Sequence, residues 1–247
     1  MLRALVDLAL GARGAGQRAR LWWPGRRLRR RVLVLSVVRE ENAATFEAAV
    51  AELRRSRCEV EVHSRPPGAL AKFDNLNALL DGLEPRTFDW VLLLDDDVVL
   101  PRGFLGGLLF VAERFGLALA APAHRRRSHA AWPLTRRRWA CVARETAFVE
   151  IGPVTALRRD AVAELLPFPA GAGMGWGLDA HWAWLAREHG WRIGIVDLLA
   201  VAHLVAPAGA GYRRDAAIAQ ARSFLAEHPY LPVAESQRTL AVHRRCA

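Results

Sequence analysis

The sequence predicts an α/β protein in which a mostly parallel central sheet is covered by helices on both faces, giving three layers. Three observations carry this. RVLVLSVV (Arg31 to Val38) and FDWVLLLDDD (Phe88 to Asp97) are continuous apolar runs of the kind that form strands buried on both faces. Segments with helical spacing separate such runs, and strands that alternate with helices imply parallel pairing through crossovers. The length of 247 residues, 52% hydrophobic and 24% charged, suits one sizeable core.

Each element follows in order. REENAATFEAAVAELRRS places Phe46, Val50 and Leu53 on one side of a helix, and CEVEVHS (Cys58 to Ser64) alternates like a second strand that RPPG ends. KFDNLNALLDGL (Lys72 to Leu83) predicts a helix leading into the third strand at Phe88. A helix over Gly103 to Phe115 and a short strand, LALAAP, continue the alternation. FVEIGPVTALRRDAVAELLPFP reads as strand, turn and helix, and GAGMGWGLDAHWAWLAREHG as a glycine-rich loop and a helix stopped by Gly190. WRIGIVDLLAVAHLV then supplies a final pair of short strands. The chain divides into a basic, flexible leader (1–30), an α/β domain (31–206) and a C-terminal helical extension (207–247).

Composition excludes several classes. No apolar run reaches the roughly 18 residues that span a bilayer, since Glu113 and Arg114 interrupt the longest, and Asp7 spoils the first stretch as a secretory signal. Cys58, Cys141 and Cys246 are scattered and form no CxxC pair, which predicts a reducing, cytoplasmic setting. The net charge of +10 comes almost wholly from dispersed arginines without an aromatic-basic module, so nucleic acid is not an expected partner. Two basic concentrations remain, LWWPGRRLRRR (Leu21 to Arg31) and HRRRSHAAWPLTRRRW (His124 to Trp139). Both read as solvated surface, with a peripheral membrane contact as the alternative for the first and a lid over an anionic acceptor as the alternative for the second.

The triplet Asp95, Asp96 and Asp97 interrupts the third strand at its carboxyl end, where open α/β sheets bind ligands. Strand alternation sends Asp95 and Asp97 to one side and Asp96 to the other. Paired carboxylates there suit Mn²⁺ or Mg²⁺, which accept carboxylate and phosphate oxygens together. An acidic turn is the competing reading.

VLLLDDDVVLP resembles the DXD segment of nucleotide-sugar glycosyltransferases of family-2-like type with the GT-A fold. It also resembles the nucleophile motif of haloacid-dehalogenase-like phosphatases, but that family needs a downstream lysine, and the one lysine of this chain is Lys72, upstream. GMGWGLDAHW (Gly173 to Trp182) is similar to the GWG-acidic segment of several GT-A families. The resemblance implies Trp176 as a sugar platform, with Gly175 allowing close backbone approach, and Asp179 as general base; Leu178 stands where a first acid is often found. A helix cap is the other reading of Asp179. Trp182, Trp184 and Trp191 are expected in the core or at an interface.

His203, beyond the last strand, matches the further metal ligand of GT-A enzymes, so the resemblance implies a metal held by Asp95, Asp97 and His203. It likewise implies donor contacts from Arg39, Glu40, Lys72, Asn75, Asn77, Asp95 and Asp96, and a sugar pocket shaped by Glu150 and Gly152. The implied reaction is metal-dependent transfer of a sugar from a nucleoside diphosphate sugar to a hydroxyl acceptor, with inversion. A noncatalytic nucleotide- or glycan-binding protein and a nucleotidyltransferase on a related sheet are the alternatives; the motifs leave nucleotide, sugar, acceptor and oligomeric state open.

Overall fold

The computed structural model describes residues 2–203 and 213–246, so the expected domain boundary at residue 206 lies outside the described residues. In chain order the described elements are α1 (Leu2–Arg27), β1 (Arg31–Val37), α2 (Ala43–Arg54), β2 (Glu59–Arg65), α3 (Lys72–Leu80), β3 (Trp90–Leu94) and β4 (Val98–Val99). There follow α4 (Phe104–Arg114), β5 (Leu117–His124), β6 (Ala143–Thr146), β7 (Val154–Arg158), α5 (Arg159–Leu165), α6 (Leu178–Glu188) and β8 (Arg192–His203). The chain continues with α7 (Arg214–Glu227), α8 (Val233–Ser236) and β9 (Thr239–His243).

The strands form one sheet in the order β2-β1-β3-β7-β5-β8-β6-β9, with β4 paired to β8 off that path. β2, β1 and β3 pair in parallel, as do β5 and β8. β7 and β6 run against their neighbours, so β2, β1, β3, β5, β8 and β9 all point one way. The mostly parallel sheet predicted from the alternation is present.

Period-two alternation along the central strands feeds two cores. Val32, Val34 and Leu92 face α2 and α4, meeting Phe46 and Leu108, whereas Leu33, Leu35 and Leu93 face the opposite layer, meeting Phe73, Val162 and Trp182. Each such side chain contributes about 1.5–3 kcal/mol on burial. Trp182 is in this core and Trp191 packs against its margin, while Trp184 packs against a smaller third cluster around Phe148 and Ile195, as expected of core residues.

The structure differs from the sequence reading at four places. The expected pair of short strands after Trp191 is a single 12-residue strand, β8. The strand expected at Phe148 begins only at Val154, and β6 forms earlier, at Ala143. Residues read as a C-terminal helical extension include β9, which adds to the sheet beside β6. Residues read as a basic leader form the 26-residue helix α1. α1 packs on α4 where glycines meet: a Cβ on Gly106 would lie 2.3 Å from the Gly25 carbonyl oxygen.

Candidate active site

Backbone register assembles the site. Ser36 Oγ donates to the Leu94 carbonyl at 2.7 Å, fixing β1 against the end of β3. β7 runs antiparallel to β3 with Val154 opposite Leu94, so the Asp95 N–H reaches the Pro153 carbonyl at 2.8 Å and Gly152 lies beside the Asp95 carboxylate. β4 pairs antiparallel to the end of β8 with Val98 opposite His203, which carries His203 to Asp97.

β3 ends at Leu94, so a tight turn rather than strand alternation separates the three carboxylates. Asp96 turns beneath the site and is 3% exposed. It accepts the Arg39 backbone N–H at 2.8 Å and the Arg39 guanidinium at 2.9 and 2.6 Å. Burial alone would raise its pKa, but these bonds win and hold the carboxyl below its usual range. Asp95 faces Lys72, with Nζ 2.5 Å from Oδ1. Asp97, also 3% exposed, lies 3.0 and 3.1 Å from His203 Nε2 through its two oxygens and 3.7 Å from Arg39. Burial lowers the His203 pKa, yet its bond to Asp97 and the surrounding carboxylates raise it above the ordinary value.

One ligand atom each from Asp95, Asp97 and His203 falls within 4.8 Å of the others. Two carboxylate oxygens suit a hard divalent cation and a neutral imidazole adds a nitrogen donor, so these residues fit such an ion. The near-complete burial of Asp97 between a histidine and a guanidinium marks it as a carboxylate committed to positive charge.

The glycine-rich loop stands opposite. Gly173, Gly175 and Gly177 have φ of 54°, 88° and 91°. A Cβ on Gly175 would approach Ile151 Cδ1 to 2.2 Å and the Phe73 ring to 2.3 Å, so only glycine fits between these walls. The Phe73 N–H donates to the Gly173 carbonyl at 2.9 Å, tying the start of α3 to the loop. On its other side the loop packs against Gln220 and Leu225 of α7.

Gly177, and not Asp179, is the N-cap of α6; Asp179 lies in its first turn. Asp179 Oδ1 accepts the Ala180 N–H at 2.9 Å, and the neighbouring Trp132 side chain favours the charged carboxylate. Removal from water, with a smaller effect of the Glu150 charge, pushes the Asp179 pKa up to about 7. Some of its surface nonetheless remains accessible. The Glu150 charge also acts on His203, raising its pKa. Its Oε1 accepts the Ala131 N–H at 3.3 Å, and its Oε2 approaches His124 Nε2 at 3.4 Å without a formed hydrogen bond.

The remaining residues singled out from the sequence separate into two groups. Glu40 is exposed just beyond Arg39, and Trp176 is half-buried in the glycine loop. Asn75 and Asn77 hold backbone: Asn75 Nδ2 donates to the carbonyls of Pro67, Leu70 and Ala71, and Asn77 bonds the Phe168 N–H and carbonyl, each at 2.9 Å. Sequence reasoning treated His124 to Trp139 as one basic loop and missed its local contacts. The His203 N–H donates to Ser128 Oγ at 2.8 Å, His129 N–H donates to the His203 carbonyl at 2.8 Å, and Trp132 reaches Asp179. Two histidines and two tryptophans amid the arginines were the available signal.

No protein-family model and no curated protein sequence matches this chain. Among solved structures it is similar to GalNAc-T7 with UDP, GalNAc and Mn²⁺, at 10% identity and a TM-score of 0.46 over 73% of this chain, which spans 44% of that one. It is also similar to the catalytic domain of Drosophila β1,4-galactosyltransferase 7 with xylobiose, at 13% identity and a TM-score of 0.48 over 71% of each chain. The mannosyltransferase PcManGT from Pyrobaculum calidifontis, in complex with GDP-Man and Mn²⁺, is similar over 94% of this chain and 78% of its own, at 17% identity and a TM-score of 0.51. That likeness, spanning nearly the whole sequence, shows that the chain has the GT-A fold.

Proposed function

We propose that this protein is a divalent-metal-dependent glycosyltransferase that moves a sugar from a nucleoside diphosphate sugar to a hydroxyl acceptor with inversion. The observation that carries the proposal is the convergence of Asp95, Asp97 and His203 at the carboxyl ends of the central strands. The complex of the similarly folded mannosyltransferase with GDP-Man and Mn²⁺ supports it. A Mn²⁺ or Mg²⁺ ion held by the three residues would supply positive charge to the leaving diphosphate.

The chain's own groups do the rest. Arg39 fixes Asp96 and thereby the turn that presents Asp95 and Asp97. Lys72, at the start of α3, adds a cation where a diphosphate would lie. Asp179, with its pKa near 7, takes the proton of an acceptor hydroxyl while that oxygen attacks the anomeric carbon. Trp176 and Gly175 shape the acceptor side of the sugar pocket, and Glu150 borders it. The free thiols of Cys58, Cys141 and Cys246 support a cytoplasmic setting.

The test is calorimetric titration of nucleoside diphosphate sugars in the presence of Mn²⁺. Asp97→Ala should abolish metal-dependent donor binding; unchanged binding refutes the assignment. Mn²⁺-dependent donor hydrolysis that falls at least about a hundredfold in Asp179→Asn would separate a transferase from a protein that only binds.

A further inference from the structure

The exposed side of α1 is unlike that of an ordinary surface helix. Such a helix turns an apolar stripe to the core and polar residues to water. In α1, Leu10 and Leu21 face the core, yet Leu5 (55% exposed), Leu8 (72%) and Trp23 (66%) face outward. Leu5 and Trp23 lie about five helical turns apart and so share one line along the helix. Ala12, Ala15, Gly16 and Ala19, all exposed, fill the interval without a charge.

Positive charge surrounds the Trp23 end of this stripe. Trp23 borders a cleft of about 750 Å³ between α1, α2 and α4, with a floor of Leu21, Leu105 and Leu199. Arg26, Arg55 and Arg102 line the same cleft, and a shallower hollow beside it is lined by Trp23, Arg26, Arg27 and Arg57. The carboxylate of the cleft is engaged, Glu52 bonding Arg55 at 2.9 Å and the Gly103 N–H at 2.6 Å, and at the other end of the stripe Asp7 bonds the N–H groups of Arg126 and Arg127 at 2.7 and 3.0 Å.

We propose that this face docks on an anionic phospholipid bilayer, with the Leu5–Leu8–Trp23 stripe at the acyl boundary and the arginines against headgroup phosphates. An exposed apolar stripe calls for a cover. A second copy of the chain is the poorer occupant, because a two-fold interface would set the same arginines against each other. An anionic lipid surface satisfies the apolar stripe and the arginines together. Among the described residues no helix is long and apolar enough to cross a membrane, so the contact is peripheral. This surface does not depend on the transferase reading. Through Asp7 the same helix is tied to the loop that carries Ser128 and His129 to the candidate active site, which places that site near the lipid surface.

The experiment is sedimentation of the full chain with vesicles of phosphatidylcholine, with and without phosphatidylglycerol. Binding should require phosphatidylglycerol and weaken with salt. Arg27→Glu/Arg57→Glu should lower the partition coefficient about thirtyfold or more. Leu8→Glu should lower it with the melting temperature unchanged; if that variant is destabilised, the arginine pair alone decides. A charge-matched reversal at the exposed Arg192 and Arg222 should retain most of the binding. The proposal is overturned if the chain ignores anionic vesicles, or if the control reversal costs as much as Arg27→Glu/Arg57→Glu. It is equally overturned if light scattering finds a dimer that Leu8→Glu dissociates, since the stripe then meets a second copy.

Discussion

Replacing Asp179 by asparagine should make the protein more stable at pH 8 while impairing its chemistry. The Asp179 pKa rises from 3.8 to about 7 in the folded chain, chiefly through loss of solvation and then through the Glu150 charge. A raised folded pKa gives stability that is fully present below pH 3.8 and lost progressively as pH climbs to 7. The full shift corresponds to about 4 kcal/mol at pH 8. Asp179 keeps some contact with water, which trims the expected cost to about 2–3 kcal/mol. Asparagine retains Oδ1 as the acceptor for the Ala180 N–H and carries no charge, so it escapes that cost. Urea denaturation in the presence of a chelator should show a gain of only about 0.5 kcal/mol for the variant at pH 4, and of about 2–3 kcal/mol at pH 8. A loss of stability at pH 8, or a gain independent of pH, would show that the Asp179 carboxylate is adequately solvated and refute the reasoning.

Other perturbations have equally definite expectations. Because the His203 pKa is raised and a metal needs the neutral ring, Mn²⁺ affinity should fall by up to about tenfold per pH unit below that pKa; calorimetry in buffers of different ionisation enthalpy reads the released proton. Arg39→Ala removes the two guanidinium hydrogen bonds from a buried carboxylate, leaving only the backbone N–H bond, and should destabilise the fold by about 1–3 kcal/mol, the partial exposure of Arg39 keeping the loss below that of a fully buried pair; a thermal melt decides. Gly175→Ala combines a φ of 88° with contacts near 2.2 Å to Ile151 and should cost about 2 kcal/mol or more, measured by urea unfolding. A melt unchanged from the parent would mean that the loop and Phe73 can separate freely.

What the sequence revealed and what it concealed have physical causes. β1 and β3 were legible because strands buried on both faces need uninterrupted apolar side chains, and the five residues from Trp90 to Leu94 are all buried. The acidic triplet was legible because charge directly after such a strand is costly unless it has a partner. β8 read as two short strands because Asp197 falls in its middle. That carboxylate is fully buried and paired with Arg144 at 2.8 and 3.0 Å, a partner 53 residues away that no local pattern reveals. α1 was illegible for a similar reason: Gly11, Gly14, Gly16 and Pro24 weigh against a helix, and packing on α4 overrides that propensity. β6 and β9 are short and meet only through the fold, so neither announced itself.

The sequence left open how three adjacent aspartates divide their work, and the geometry shows how they are placed. Both oxygens of Asp96 are taken by Arg39, through its backbone N–H and its guanidinium, so Asp96 joins the end of β1 to the turn after β3. With that joint made, Asp95 is left toward Lys72 and Gly152, and Asp97 toward His203. Each neighbour is delivered by backbone rather than by a long side chain: Gly152 by the β3–β7 register, His203 by the β4–β8 register, and Lys72 by a helix whose first turn is tied to the glycine loop. A site built from such registers loses little freedom when a ligand arrives, because folding has already ordered its groups. The charge pattern follows the same logic. Arg39 pairs with Asp96 and approaches Asp97, and Lys72 pairs with Asp95, so two fixed cations offset much of the negative charge that three carboxylates bring to a small volume. Asp179 stands apart from these cations and nearer Glu150, and it is the carboxyl whose pKa rises. Carboxyls of one chemical type thus acquire different properties from their neighbours alone: Asp96 is held below its usual range by the Arg39 bonds, and Asp179 is pushed up to about 7 at the start of α6.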